Sequence, residues 1–375
     1  MKIGLVCESC DNRTGIGRIV NYLAGEFLEL ENEVRCAAQS FEGTHAKLIR
    51  RSVPRFSSSK GLNKILFGLN GPPFTGSEVD VMHSFGVGRG AQVVSAQSCH
   101  RAGMELLDPF RNEFLERRGF GLYDRVSLYD EKALLTSRST KRIIAVSKLV
   151  KTQVENFYGV NPARVAVVPN GVNISLFEQL RNQIDRPRLR SSVGCSPDDF
   201  VVLFVGNEFG RKGLRVVLQS LRALNDRHVR LLVVGRGDRE RYSRCAVDLG
   251  IADNVLFMGS VSAPETLYFA ADAFVFPSLY EPFGIVVLEA MAAGVPVITT
   301  RSCGAVETMI HGEHGLYLEN PCDIDDLSQQ ILRVVSDEEL RARLAANGKQ
   351  EARKYDWTSI AFWILNIYRE IVGDR

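Results

Sequence analysis

Pro277-Ser-Leu-Tyr-Glu281-Pro-Phe-Gly284-Ile-Val-Val-Leu-Glu289-Ala-Met-Ala-Ala-Gly294-Val-Pro-Val297 carries most of what this 375-residue chain says about its fold. The apolar run Ala273–Phe276 before it predicts a strand. The Pro- and Gly-containing turn that follows leads into an apolar run with helical potential, which stops at Gly294 and feeds a further strand, Pro296–Thr299. Strand, turn, helix, strand is the repeating unit of a parallel sheet. Gly284 falls at the helix start. The backbone N–H groups of Phe283, Gly284 and Ile285 are then expected to point outward without intrahelical acceptors, making an anion site reinforced by the helix dipole. Glu281 and Glu289 are eight residues apart, about two turns, and so lie roughly on one side. Carboxylates placed there are suited to gripping vicinal hydroxyls; two surface glutamates are the plain alternative.

The same alternation runs outward in both directions. Short β-branched runs, each followed by a polar turn and an amphipathic stretch, predict strands at Lys2–Cys7, Glu33–Ala38, Asp80–Ser84, Gln92–Ala96, Arg142–Val146 and Val165–Val168. A second series falls at Phe200–Val205, Arg230–Val234, Asn254–Met258, Ala273–Phe276, Pro296–Thr299 and Gly315–Leu318. The expected class is α/β: two Rossmann-like, doubly wound parallel sheets facing a central cleft, where such sheets bind ligands. A chain of this length suits two domains. They are placed at 1–172 and 200–357, with a linker at 173–199, where Arg-Pro-Arg, Ser-Ser and Ser-Pro interrupt any apolar period.

A second motif, Val205-Gly206-Asn-Glu-Phe-Gly210-Arg211-Lys212-Gly213, follows a predicted strand and opens a helix. Its glycines permit close backbone approach, and two adjacent cations can meet a diphosphate. Taken with Glu281-x7-Glu289 inside E-P-F-G-x-x-x-L-E-A-M-A-x-G-x-P-V, it resembles the signature of the retaining glycosyltransferases of family 4, which have the GT-B fold. The resemblance covers nearly the whole chain. It implies that Glu281 contacts the donor sugar and Glu289 the nucleotide ribose. The amides of Phe283, Gly284 and Ile285 would approach sugar and phosphates, with Arg211 and Lys212 clamping the diphosphate. Gly206, Gly235 in Val-Val-Gly-Arg-Gly, and Met258 in Phe-Met-Gly-Ser-Val match nucleotide-proximal loops. Pro169-Asn-Gly-Val172 resembles the family's domain-junction turn, and the last helix, about 358–375, is expected to pack back on the first domain. The wording V-G-x-x-F-G-R-K-G and Ser139-Thr-Lys141 are similar to the bacterial lipopolysaccharide core glucosyltransferases.

In the first domain, Thr14-Gly15-Ile-Gly17-Arg18 follows strand one and precedes a helix, so the amides around Gly15 and Gly17 are expected to face an anionic group of the donor. The resemblance also places a histidine beside the sugar. His100 matches that position better than His83, and a histidine merely satisfied at a strand edge is the alternative. A dinucleotide-binding oxidoreductase needs an acid near the end of strand two, where Ala37-Ala-Gln-Ser40 offers none. A nucleotide-sugar epimerase of the same fold and a catalytically silent binding protein are the other rivals. The glutamate spacing opposes the first, and the intact Arg211, Lys212, Glu281 and Glu289 the second.

Eight scattered cysteines make no disulfide framework, and Cys7-x-x-Cys10 reads as ordinary thiols near a strand end. His311 and His314 lack supporting ligands, so no metal site and no cofactor are expected; the nucleotide-diphosphate sugar is a substrate. The start reads as a strand rather than a signal peptide, and no apolar run is long enough to span a bilayer. A cytoplasmic enzyme is expected, with no nucleic-acid partner. Charge is uneven: residues 1–165 hold 23 basic and 17 acidic residues, and the rest 23 and 27. No acid occurs from Gly43 to Ser77, where Lys47, Arg50, Arg51, Arg55, Lys60 and Lys64 interleave with Phe56, Ile65 and Phe67. The run predicts a solvated loop or a contact with an anionic membrane face, close to a glycan or glycolipid acceptor such as lipopolysaccharide core. Residues 101–142, with Phe110, Phe114, Leu115 and Phe120, are a second candidate for that surface.

Overall fold

The computed structural model describes residues 1–12, 14–55, 60–69, 71–110 and 121–373. The chain divides into two compact units: Met1–Glu105, Arg118–Gly171 and Trp357–Arg375 form one, and Leu106–Arg117 with Val172–Asp356 the other.

Unit 1 contains β1 (Lys2–Val6), β2 (Ser9–Cys10), β3 (Glu33–Ala38), β4 (Ser40–Phe41), β5 (Ile49–Ser52), β6 (Val81–Ser84), β7 (Val93–Ala96), β8 (Arg142–Ala145) and β9 (Val165–Val167). Seven of them make one parallel sheet in the order β5-β3-β1-β6-β7-β8-β9, and β2 pairs with β4. Ile3, Leu5, Val6, Val34 and Val81 are fully buried, as strands covered on both faces require. The terminal helix Trp357–Gly373 belongs to this unit. Trp357 stacks on Tyr22 at 5.5 Å, and Tyr368 meets Phe27 at 5.7 Å. Gly171 allows this seat, since a Cβ there would lie 2.6 Å from the Trp357 ring.

Unit 2 contains β10 (Phe200–Val205), β11 (Val229–Val234), β12 (Val255–Gly259), β13 (Ala273–Val275), β14 (Val297–Thr300) and β15 (Leu316–Leu318), all parallel, in the order β12-β11-β10-β13-β14-β15. From β10 the chain winds one way to β11 and β12, and then the other way to β13. The switch point therefore lies between the loops after β10 and β13.

Two expectations change. Residues 173–199 are not a linker. They fold into unit 2 as helices Ile174–Gln183 and Arg186–Ser192, capped by Asn173 and Asp185 side chains. The Arg-Pro-Arg that read as an interruption is a helix start, with Pro187 in the first turn where its missing N–H costs nothing. Arg190 is buried, donates to Ala270 and Asp199 carbonyls and pairs with Asp272. The basic run, in turn, contains an edge strand, β5, and the helix Lys60–Leu69. All four β5 side chains are exposed, so no apolar alternation marked the strand. Phe67 cannot insert into a membrane as expected; it is 2% exposed and packs under Gly88. Phe56, Phe114, Leu115, Phe120 and the Ile65 side chain lie outside the described residues.

Candidate active site

The loops of unit 2 converge at the C-terminal strand ends beside the switch point. Gly206 directly follows β10 and Gly235 directly follows β11. Gly235 has φ +128°, and a Cβ on it would stand 2.1 Å from the Gly206 carbonyl oxygen, so only glycine permits this approach. Gly235 N–H donates to Gly259 O at 2.8 Å, tying in the loop after β12; Met258 is half-buried just before it.

Arg211 and Lys212 lie in the turn between β10 and the helix Leu214–Leu224. That turn is held against the β13 loop: Leu279 N–H donates to Arg211 O at 2.9 Å, and Ser278 Oγ–H to the same oxygen at 3.2 Å. Both cations reach Glu281. Arg211 Nη1 lies 3.3 Å from Glu281 Oε2 and donates to Tyr280 O at 2.8 Å, and Lys212 Nζ pairs with the same carboxylate oxygen. The other edge of Arg211, Nε and Nη2, is held by Glu208 at 3.1 and 2.8 Å. Lys212 is buried and sits over the Phe276 ring at 5.1 Å. Burial first, then the Arg211 charge, lower its ammonium pKa well below the usual lysine range, against smaller opposing contributions from Cys303 and Glu208.

Gly284 caps the helix Ile285–Ala293 with φ +95°. A Cβ there would meet Cys303 Sγ at 2.8 Å and Glu281 Cγ at 3.1 Å. The turn is closed from β14's side. Glu281 N–H donates to Ser302 O, Ala305 N–H to Phe283 O, and Cys303 Sγ–H to Phe283 O at 3.0 Å. Ile285 is the first helical residue, and its N–H and those beside it have no intrahelical acceptor. Glu289 follows on the same helix, buried, with the Tyr268 hydroxyl donating to its Oε2 at 2.9 Å.

Unit 1 holds the remaining expected residues. Gly15 opens the helix Gly15–Glu29 with open space around its Cβ position. Gly17 does not offer a free amide: its N–H donates to Thr14 Oγ1 at 3.1 Å, the N-cap bond, and Asp11 Oδ1 takes the Thr14 N–H at 2.8 Å. The glycine pair is thus partly a capping device with a carboxylate beside it. His83 is fully buried, with Nδ1 on Tyr368 OH at 2.5 Å and Nε2 on Ser95 Oγ at 2.8 Å; burial lowers its pKa to about 3. It is a satisfied core histidine. His100 begins the helix His100–Leu107, its N–H donating to Glu131 Oε1 at 2.8 Å. Its Nε2 lies 3.3 Å from Asp124 Oδ1 without the alignment of a hydrogen bond. Cys7 and Cys10 are buried free thiols. Cys7 Sγ lies 3.9 Å from that of Cys36, while a hydrogen bond with Cys36, then burial, raises the Cys10 thiol pKa.

Glu208, Tyr268 and Cys303 complete the unit 2 site and were not singled out in the sequence. Glu208 lay inside the quoted motif and could have been found as the acid three residues before Arg211. Tyr268 and Cys303 carry no local signal.

Comparison with known proteins decides the family. Residues 13–176 match the family described as Glycosyltransferase Family 4, and residues 185–351 the one described as Glycosyl transferases group 1. An uncharacterized glycosyltransferase of Methanocaldococcus jannaschii is 33% identical over 285 residues, covering 74% of this chain and 72% of its own. The chain belongs to this glycosyltransferase family. Lipopolysaccharide glucosyltransferase WaaG of Escherichia coli (strain K12) is 28% identical to this glycosyltransferase over 243 residues, 64% of each chain. Among solved structures, a WaaG described as involved in lipopolysaccharide biosynthesis superposes with a TM-score of 0.80 at 24% identity, covering 98% and 99% of the two chains. Anabaena HepE in complex with UDP-glucose gives 0.73 at 19%, covering 99% and 100%. The fold is GT-B. Among the described residues, no helix is long and apolar enough to cross a membrane.

Proposed function

We propose that this glycosyltransferase moves a hexosyl group from a UDP-sugar, UDP-glucose or a close relative, to an anionic glycan or glycolipid of the cell envelope, with retention at the anomeric carbon. The convergence of Arg211, Lys212 and the Gly284 helix start on Glu281 carries the reading. Departure of the nucleoside diphosphate leaves positive charge on the sugar and negative charge on the phosphates. Two cations and outward amides are where the negative charge needs stabilising, in a site whose lysine is already out of water. Glu281, anchored through its backbone to Ser302, would take sugar hydroxyls, and Glu289 the ribose. Arg211, Lys212 and the amides would supply the phosphate charge compensation without a metal. Retention follows from same-face attack; the donor phosphate is the candidate base.

UDP bound to HepE supports the choice of nucleotide, and the lipopolysaccharide role of WaaG supports the acceptor class. The excess of basic residues over acidic ones in 1–165 favours an acceptor of negative charge. The test is a panel of nucleotide sugars read by thermal stabilisation and slow hydrolysis, followed by assignment of the product's anomeric configuration by NMR. Stabilisation by UDP-hexoses and an axial product from an axial donor are expected. Interconversion of the nucleotide sugar without acceptor would replace the transferase reading with an epimerase.

A further inference from the structure

A glycine-rich loop in unit 1, Gly86-Val-Gly-Arg-Gly90, lies just beyond β6, at the C-terminal edge of the sheet, where parallel sheets bind ligands. Gly86, Gly88 and Gly90 have φ of +87°, +81° and +85°, while Val87 and Arg89 between them stay out of the positive region. Alternation of this kind lets successive backbone N–H groups turn to one side, as in an anion-binding concavity. Gly88 is pressed onto the end of β1 and onto the helix Lys60–Leu69: a Cβ on it would lie 2.7 Å from Val6 Cγ1 and 3.4 Å from Phe67 Cε1. Ser84 Oγ–H donates to Val87 O at 2.6 Å and pins the loop by a carbonyl. On either side, Phe85 N–H donates to Val6 O and Gln92 N–H to Met82 O, but among the described residues no acceptor takes the N–H groups from Gly86 to Gly90. Val87 and Gly88 are buried, and buried N–H groups are almost always paired.

Two cations flank this row of donors. Arg89 is exposed within the loop itself. Lys64 and Gly68 are one turn apart on the helix Lys60–Leu69 and share its face. A Cβ on Gly68 would lie 4.0 Å from Arg89 Nε and 3.9 Å from Asp130 Oδ1. Neither cation is ion-paired among the described residues. Lys64 Nζ donates to Ser127 Oγ at 3.4 Å, and Arg89 Nη2 to Tyr129 OH at 3.5 Å. Asp130, half-buried on the helix Leu122–Leu135, offsets part of their charge; burial raises its pKa first, with Lys64 and Arg89 acting to lower it and Glu8 to raise it. Tyr129 is 63% exposed, with the Arg89 guanidinium 5.8 Å from its ring centre, so an aromatic face lies open beside the charge. Unpaired amides, a guanidinium and an ammonium are donors only, the set that takes an oxyanion rather than a neutral hydroxyl. We propose that Gly86–Gly90, Arg89 and Lys64 form a subsite for a phosphate group carried by the acceptor sugar, with the Tyr129 ring against the sugar. The proposal rests on the reading that the acceptor is an anionic glycan.

The test uses the full chain with isotope-labelled glycine, as wild type, Arg89→Gln, the double variant Lys64→Gln, Arg89→Gln, and Gly86→Ala. A Cβ on Gly86 meets nothing within 4 Å, so Gly86→Ala disturbs the backbone of the loop and not its packing. Amide signals are followed by NMR during titration with glucose 6-phosphate, with glucose and with sodium chloride. In wild type the Gly86, Gly88 and Gly90 signals should shift with glucose 6-phosphate and not with salt, and the phosphosugar should bind about tenfold more tightly than glucose. Arg89→Gln and Gly86→Ala should each weaken the phosphosugar about fivefold, and the double variant should remove the preference. Glycine signals elsewhere in unit 1, such as Gly4 and Gly25, should keep their positions; weakening accompanied by their displacement is loss of fold and counts against the subsite. Equal binding of glucose and glucose 6-phosphate in wild type, or a preference that survives the double variant, overturns it. Phosphatidylglycerol vesicles that shift the loop signals where glucose 6-phosphate does not would give the loop to a lipid headgroup instead. Transfer to a phosphorylated acceptor as fast in the double variant as in wild type leaves the anionic-acceptor reading standing and removes this loop from it. Transfer to neutral acceptors alone, with the loop still binding phosphate, removes that reading and the assignment of the loop to the acceptor with it.

Discussion

Glu281→Gln takes away the charge that Lys212 faces while keeping the side chain's shape. In the wild type the Lys212 ammonium is buried against Glu281, with the charges of Arg211 and Glu208 also acting on it. After the substitution, Arg211 keeps Glu208 and the Tyr280 carbonyl, but Lys212 keeps no carboxylate among these contacts. Removing one partner of a buried pair costs about 3–5 kcal/mol. The lower end applies here, about 3 kcal/mol, because burial and Arg211 already lower the Lys212 pKa, and the side chain can shed its proton. With a urea slope of about 2 kcal/mol/M, the unfolding midpoint of unit 2 should fall by about 1.5 M. The double variant Lys212→Met, Glu281→Gln leaves no buried ion at that point and should recover about 2 kcal/mol of the loss. Urea unfolding followed by tryptophan-independent circular dichroism of wild type, both singles and the double measures the coupling. A single-variant loss under about 0.5 kcal/mol, or additive losses in the double, would mean that Lys212 and Glu281 do not act as a pair.

Gly284→Ala should lower stability by about 1–2 kcal/mol and raise donor KM at least tenfold, because φ +95° and a 2.8 Å approach to Cys303 Sγ exclude a Cβ; unchanged KM would separate the turn from donor binding. His83 stays neutral in the folded unit 1 down to about pH 3, whereas unfolded it takes up a proton below about 6.5. The unfolded state therefore binds more protons between those limits, and stability falls with falling pH, by about 2 kcal/mol at pH 5 from this group; His83→Asn should flatten that part of the urea-derived pH profile. Activity is expected to survive EDTA; abolition by chelator with recovery on adding Mg²⁺ or Mn²⁺ contradicts charge compensation by Arg211 and Lys212 alone. Arg50→Ser should weaken sedimentation with phosphatidylglycerol-rich vesicles, and binding should fall with salt. Arg51→Ser should act mainly on folding, since Arg51 pairs with Glu78 and packs on Phe74; vesicle binding indifferent to Arg50 would remove β5 from any membrane contact.

Twelve of the sheet strands could be read locally, most of them because a parallel strand buried on both faces has to be a largely apolar run, and such runs are visible without any partner. The Arg211-Lys212 turn and the Glu281-to-Glu289 helix were legible for a related reason: a phosphate-facing helix start needs glycine and cations within a few residues of one another. β5 escaped notice because an exposed edge strand is specified by hydrogen bonding to β3 rather than by its own side chains. Residues 173–199 were misread because Pro and Ser at a helix N-terminus look like a linker until the cap and the Arg190–Asp272 pair are seen. His83 and His100 had similar strand-end positions in the sequence; only packing showed that both nitrogens of His83 are bonded within the core. Glu208 could still have been guessed from its nearness to Arg211. Tyr268 against Glu289, Cys303 under Gly284 and Lys212 against Glu281 are separated by roughly 20 to 70 residues, and a side chain's pairing across that distance is decided where strands of a sheet bring their C-terminal loops together.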